Sequence, residues 1–69
     1  MNLEAQIRSV RNHLASLKHR LRDAELELHH NPTDPVCQED VRYLEDEIDE
    51  LEEELEELEY EEEREADEA

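Results

Sequence analysis

Apolar residues form two regular stripes, one in each half of the chain. In both stripes the spacing alternates between four and three residues, which is typical of helices that pack through one narrow seam. The first stripe consists of Leu3, Ile7, Val10, Leu14, Leu17, Leu21, Ala24 and Leu28, and the second of Cys37, Val41, Leu44, Ile48, Leu51, Leu55 and Leu58. The pattern therefore predicts two amphipathic helices.

The segment between the stripes, HHNPTDP at residues 29–35, contains a signal that ends one helix and a signal that starts another. Pro32 lacks an amide hydrogen and disfavours helical backbone at Asn31. Asp34 can cap a helix whose first residue is Pro35. We expect helix 1 over about residues 2–30, a turn over 31–34 and helix 2 over about 35–63. No apolar residue larger than Ala66 follows, so we expect a frayed acidic tail over 64–69.

A short turn makes the two helices antiparallel neighbours, and the two stripes can be aligned about it. When residues whose numbers add up to 65 are paired, Leu17 lies opposite Ile48, and the axis of the pairing falls inside the predicted turn. We therefore predict an all-α fold, an antiparallel two-helix coiled-coil hairpin that forms one domain over residues 1–63. Its predicted seam includes Leu14, Leu17, Leu21, Leu44, Ile48, Leu51 and Leu55.

The stripes are too narrow for a four-helix bundle, which needs an apolar residue at a flanking position as well. The flanking positions of this chain carry charged and polar side chains instead. Leu26, Val36, Tyr43 and Tyr60 lie off the seam and are too scattered to form a second stripe. Leu26, Tyr43 or Tyr60 would offer contacts to a second copy. The expected state is a monomer or a homodimer.

Charge divides the chain into two unlike halves. The formal net charge is −17, of which residues 1–31 contribute five cations and four anions (+1) and residues 32–69 contribute two cations and twenty anions (−18). The antiparallel register brings these halves together. The expected cross-helix neighbours are Lys18 with Glu45 and Glu52, Arg11 with Glu52 and Glu59, and Arg20 with Asp40 and Glu47.

Pairing with helix 1 accounts for only part of the acidity of helix 2. Residues 44–63 contain 14 carboxylates among 20 residues. Like charges four residues apart on a helix each destabilise it by about 0.2–0.5 kcal/mol. Acids that point away from the seam therefore suggest a binding surface, and the predicted partner-binding residues are Asp46, Asp49, Glu50, Glu53, Glu56, Glu57 and Tyr60.

The composition argues against catalysis. The chain contains no Gly, Phe or Trp, and its single Cys37 excludes an intramolecular disulfide. His29, His30 and Cys37 lie near the turn, but their spacing matches no known zinc motif. Ser9 and His13 are one helical turn apart without a group to orient the imidazole. We expect no enzyme activity, no catalytic or cofactor-binding residues, no cofactor and no metal.

The chain also lacks the features of a membrane or nucleic-acid-binding protein. Apolar residues never occur more than two in a row, so we expect a soluble, cytoplasmic protein without a signal peptide or membrane contact. The basic stretch at residues 6–22 contains no aromatic residue and lies in a strongly negative surrounding field, which repels phosphate. Direct binding to nucleic acid is therefore not expected.

Two functions are consistent with these observations. The first is an acidic decoy, a nucleic-acid mimic that inhibits a basic, nucleic-acid-binding protein or a nuclease by occupying its basic surface. In size and charge, although in no motif, the chain resembles small acidic phage-type inhibitors of nucleases or CRISPR effectors. The alternative is a structural coiled-coil adaptor or assembly factor that acts through helix–helix contacts.

Overall fold

The computed structural model describes residues 2–68, with the side-chain surroundings of residues 2–65. It consists of two α-helices, α1 at Leu3–His30 and α2 at Pro35–Glu68, joined by a four-residue turn. They pack against each other along most of the length of α1. The predicted all-α helical hairpin is confirmed.

Each helix starts at a side-chain cap. Asn2 precedes α1, and its side-chain oxygen accepts hydrogen bonds from the amides of Glu4 and Ala5 at 3.1 and 3.4 Å. Asp34 precedes α2, and its Oδ1 accepts a hydrogen bond from the amide of Val36 at 2.9 Å. Such caps satisfy amides that have no partner within the first turn of a helix, and each stabilises it by typically about 1 kcal/mol.

The turn is closed by hydrogen bonds from both sides. The amide of Asn31 donates to the carbonyl oxygens of Glu27 and Leu28, which ends α1. Across the turn, Nε2 of Gln38 donates to the carbonyl oxygen of Pro32 at 2.9 Å. The reversal is therefore supported by contacts from both helices, in addition to the conformational restriction that proline imposes.

The seam forms the core. Leu14, Leu17, Leu44 and Ile48 make up a buried cluster, and Leu21, Leu51 and Leu55 are half-buried and pack against it. Among residues 2–65, every residue of the two apolar stripes is buried or half-buried, and every other residue except Gln6, Asp34 and Glu47 is exposed. One narrow seam thus supplies almost all of the hydrophobic burial.

The molecule is a rod. Its Cα envelope measures 54 × 15 × 14 Å, and the radius of gyration is 15.9 Å, whereas a compact domain of this length has about 11 Å. Within residues 2–68 neither helix has an apolar stretch of the length needed to cross a membrane.

The second helix is longer than the sequence prediction allowed. Helix 2 was expected to end near Glu63 and to be followed by a tail over 64–69, but α2 continues to Glu68, and Ala69 lies outside the described residues. A helix needs no seam residue to continue for one more turn. Arg64, Glu65 and Ala66 belong to the residue types with the highest helix propensity, and neither Gly nor Pro interrupts them.

Truncation of the buried cluster will destabilise the hairpin much more than truncation of an exposed leucine. Leu17→Ala and Ile48→Ala, at 4% and 6% exposure, should each lower the free energy of unfolding by about 2–5 kcal/mol. Leu26→Ala removes a side chain that is 56% exposed and should change it by less than about 0.5 kcal/mol. Urea unfolding followed by circular dichroism measures all three. Similar losses at the three positions would place Leu26 in a second core and contradict the two-helix fold.

Candidate functional site

The outer face of α2, on the side opposite the seam, is the candidate binding surface. Its residues are one or two positions from the nearest seam residue in the sequence, and the helix repeat directs them away from α1. The structure leaves all seven predicted partner-binding residues exposed, namely Asp46, Asp49, Glu50, Glu53, Glu56, Glu57 and Tyr60. We call this surface the acidic face.

Carboxylates on α2 are as closely spaced as the charges of a nucleic acid. Fourteen of them lie between Glu45 and Glu63, a distance of about 27 Å along the helix axis. The spacing is about one negative charge per 2 Å, and duplex DNA presents one per about 1.7 Å. Because α2 continues to Glu68 as one unbroken helix, these charges lie on a single straight support.

Tyr60 lies in an open depression of the acidic face. Its ring is 63% exposed. The depression is lined by Glu53, Glu56, Glu57, Tyr60, Glu61 and Arg64, all of which belong to α2. A depression built on one helix has no opposite wall. It can receive a side chain from a partner surface, but it cannot enclose a small molecule as ligand pockets do.

Little of the acidity of α2 is neutralised by α1. Of the cross-helix pairs expected from the register, Arg11 with Glu59 forms at 3.0 Å, between side chains that are 59% and 47% exposed. Lys18 and Arg20 form no ion pair with the described part of α2. Long, exposed side chains gain only about 0–1 kcal/mol from such pairing, so they stay in solvent as often as they pair. Most carboxylates of α2 are therefore available to a partner.

His29, His30 and Cys37 are the possible metal ligands nearest the turn. His29 and His30 contact each other edge to face, with ring centroids 5.9 Å apart. Among the side chains described, those of residues 2–65, no three His, Cys, Asp or Glu are arranged to hold a metal ion. His19 instead lies 3.9 Å from Asp23, one helical turn away.

Cys37 is a buried seam residue whose surroundings disfavour the thiolate form. Burial raises the pKa of the Cys37 thiol, and the negative charges of Asp34, Glu27 and Asp40 raise it further. Asp34 also forms a hydrogen bond with the thiol, which favours its protonated form. Since the thiolate is the nucleophile and the metal ligand, these neighbours suppress both kinds of chemistry at Cys37.

One surface feature was missed from the sequence. A depression of about 420 Å³ opens between the helices near the turn, at the seam position of Ala24, with Leu44 and Tyr43 beside it. Its rim carries Arg20, Asp23, Glu27 and Asp40. We call this feature the Ala24 notch. The available signal was the size of Ala24, the smallest residue in a stripe of Leu, Ile and Val.

Comparison of the chain with protein-family models, with curated proteins and with solved structures finds no match. The function must therefore be inferred from the charges, shapes and exposed groups of this chain alone.

The raised pKa of Cys37 makes its contribution to stability depend on pH. Below the ordinary thiol pKa of about 8.5, the thiol is protonated in both states and the contribution is complete. As the pH rises through that value and then through the raised folded-state pKa, ionisation favours the unfolded chain, so the contribution is lost. The difference in unfolding free energy between the wild type and Cys37→Ala should shrink as the pH rises from neutral through the ordinary thiol pKa and beyond it.

Urea unfolding of both proteins across this pH range measures the difference, and other titrating groups cancel because both proteins contain them. A difference that stays constant or grows with pH would contradict the assigned surroundings of the thiol.

Proposed function

We propose that this chain is a small acidic binding protein that inhibits a nucleic-acid-binding protein or a nuclease by occupying its basic surface. The observation that carries the proposal is the acidic face, where seven predicted residues on one unbroken helix are all exposed. A basic groove that binds a phosphate backbone is organised around closely spaced negative charges. Taken together, the carboxylates of α2 offer a similar charge spacing on a protein support.

The support is rigid, which matters for competition with a nucleic acid. A flexible acidic tail would lose conformational entropy on binding, whereas a packed helix has already lost it in folding. The seam holds α2 straight over most of its length, and its outer carboxylates stay in water. In this proposal the protein acts without catalysis, in the cytoplasm, through a basic protein partner.

Binding through the acidic face should depend on many carboxylates together. Asp49, Glu53, Glu56 and Glu57 are exposed, so their joint replacement by Lys leaves the seam intact and should abolish binding to the target. Affinity should also fall steeply with salt, because charges are screened within about 10 Å at 0.1 M. The measurement is capture of nucleic-acid-binding proteins from the native host at low salt, with DNA or RNA as competitor.

A matched control changes the same number of charges elsewhere. Replacement of the four acids of α1 by Lys gives the same net charge, −17 + 8 = −9, and leaves the acidic face unchanged. These exposed residues are Glu4, Asp23, Glu25 and Glu27. The control should keep most of the binding. Equal loss of binding in both variants would mean that only total charge matters. The adaptor alternative would be favoured by a target that binds the first variant, whose affinity does not depend on salt, and that binds nucleic acid and this protein at the same time.

A further inference from the structure

The Ala24 notch lies beside an exposed apolar strip of α2. Val36 and Tyr43 are each 62% exposed. They are seven residues apart, so they lie on the same side of α2, about 10.5 Å from each other along its axis. Single exposed apolar residues are common on protein surfaces, but Tyr43 also lines the notch.

The notch results from a gap in the seam. A large residue at the position of Ala24 would cover the neighbouring part of the other helix, as Leu17 and Leu21 do further along α1. Ala24 instead is half-buried, and Leu44 and Tyr43 line the depression together with it. This is the kind of hole that a large apolar side chain from a third helix fills in knobs-into-holes packing.

Charge determines which partner fits. The rim of the notch has three carboxylates, from Asp23, Glu27 and Asp40, against the single cation Arg20, which gives −2. A second copy of this chain, with its net charge of −17, would meet a like charge at the rim. A partner with Lys or Arg on both sides of its apolar residues would meet opposite charge.

We propose that the Ala24 notch and the strip formed by Val36 and Tyr43 bind a cationic amphipathic α-helix of another protein. The groove between two antiparallel helices runs along their axes and receives a third helix lengthwise. Apolar residues at i and i+7 of that helix are separated by about 10.5 Å, the same distance as Val36 and Tyr43. Apolar residues of the partner fill the notch and cover Tyr43, and its flanking cations contact Asp23, Glu27 and Asp40. This surface is independent of the acidic face.

A synthetic helical peptide tests the proposal directly. The probe is a labelled peptide of three heptads with Leu at the seam positions and Lys at the flanking positions, titrated into the full chain in 0.15 M salt and followed by fluorescence anisotropy. Ala24→Leu fills the notch and should weaken binding about tenfold or more, which corresponds to about 1.4 kcal/mol. Ala15→Leu adds the same side chain at an exposed position of α1 and should leave the affinity unchanged.

A second pair of variants does not depend on the seam. Tyr43→Ala should weaken binding about tenfold, because aromatic side chains at the centre of an interface dominate its energy. Leu26→Ala removes a comparably exposed apolar side chain that belongs to neither the notch nor the acidic face, and it should have no effect. Unfolding curves of all four variants establish whether each is folded. If Ala24→Leu does not fold, Tyr43→Ala still tests the proposal.

Three results would overturn the proposal. The first is an affinity that Ala24→Leu and Tyr43→Ala leave unchanged, because the peptide then binds diffusely to the carboxylates of α2. The second is no binding by the Lys peptide, or equal binding by a peptide with Glu in place of Lys. The third is self-association of the wild type in sedimentation that Tyr43→Ala removes, which would make a second copy the occupant.

Discussion

Burial of a single apolar seam is the interaction on which the rest of this molecule depends. Two narrow stripes meet along the hairpin, and the cluster of Leu14, Leu17, Leu44 and Ile48 lies at its centre. Nothing else in the described part of the chain provides comparable burial. The seam must therefore outweigh both the entropy of ordering two long helices and the repulsion among the carboxylates of α2. This requirement explains why the apolar stripe of α2 stays regular in the segment where the carboxylates are densest.

The same seam separates stability from binding. Because the heptad repeat directs two positions of every seven inward, the remaining positions of α2 are free to vary without loss of the core. The carboxylates of the acidic face are exposed, and the one cross-helix ion pair observed among the predicted pairs, Arg11 with Glu59, is solvent-exposed. A charge pattern can thus be placed on the outside of the rod with only a modest effect on its folding.

Most of the fold could be predicted from the sequence because it follows from periodicity and from a few strong local signals. The alternating spacing identified every seam residue, and Asp34 before Pro35 marked the start of α2. The end of α2 was misplaced because the apolar pattern was used to locate it, whereas Arg64, Glu65 and Ala66 continue the helix by propensity alone. The partners of Lys18 and Arg20 could not be predicted, since exposed side chains choose between an acid and water on small energy differences. The Ala24 notch needed the structure, because it depends on which neighbours surround a small residue in three dimensions.

The acidity of α2 is much greater than that of α1, and α1 therefore provides an internal comparison. The outer side of α1 is also exposed, yet it carries neutral residues at many of its positions, including Ala5, Ser9, Asn12, Ala15 and Ser16. The outer side of a helix in this hairpin can therefore be solvent-exposed without having a carboxylate at nearly every position. On α2 the carboxylates are retained although neighbours four residues apart repel each other by about 0.2–0.5 kcal/mol per pair. This one-sided charge opposes the stability of its own helix. In the proposed function it is the part of the molecule that binds, and its partner is a surface rich in Lys and Arg.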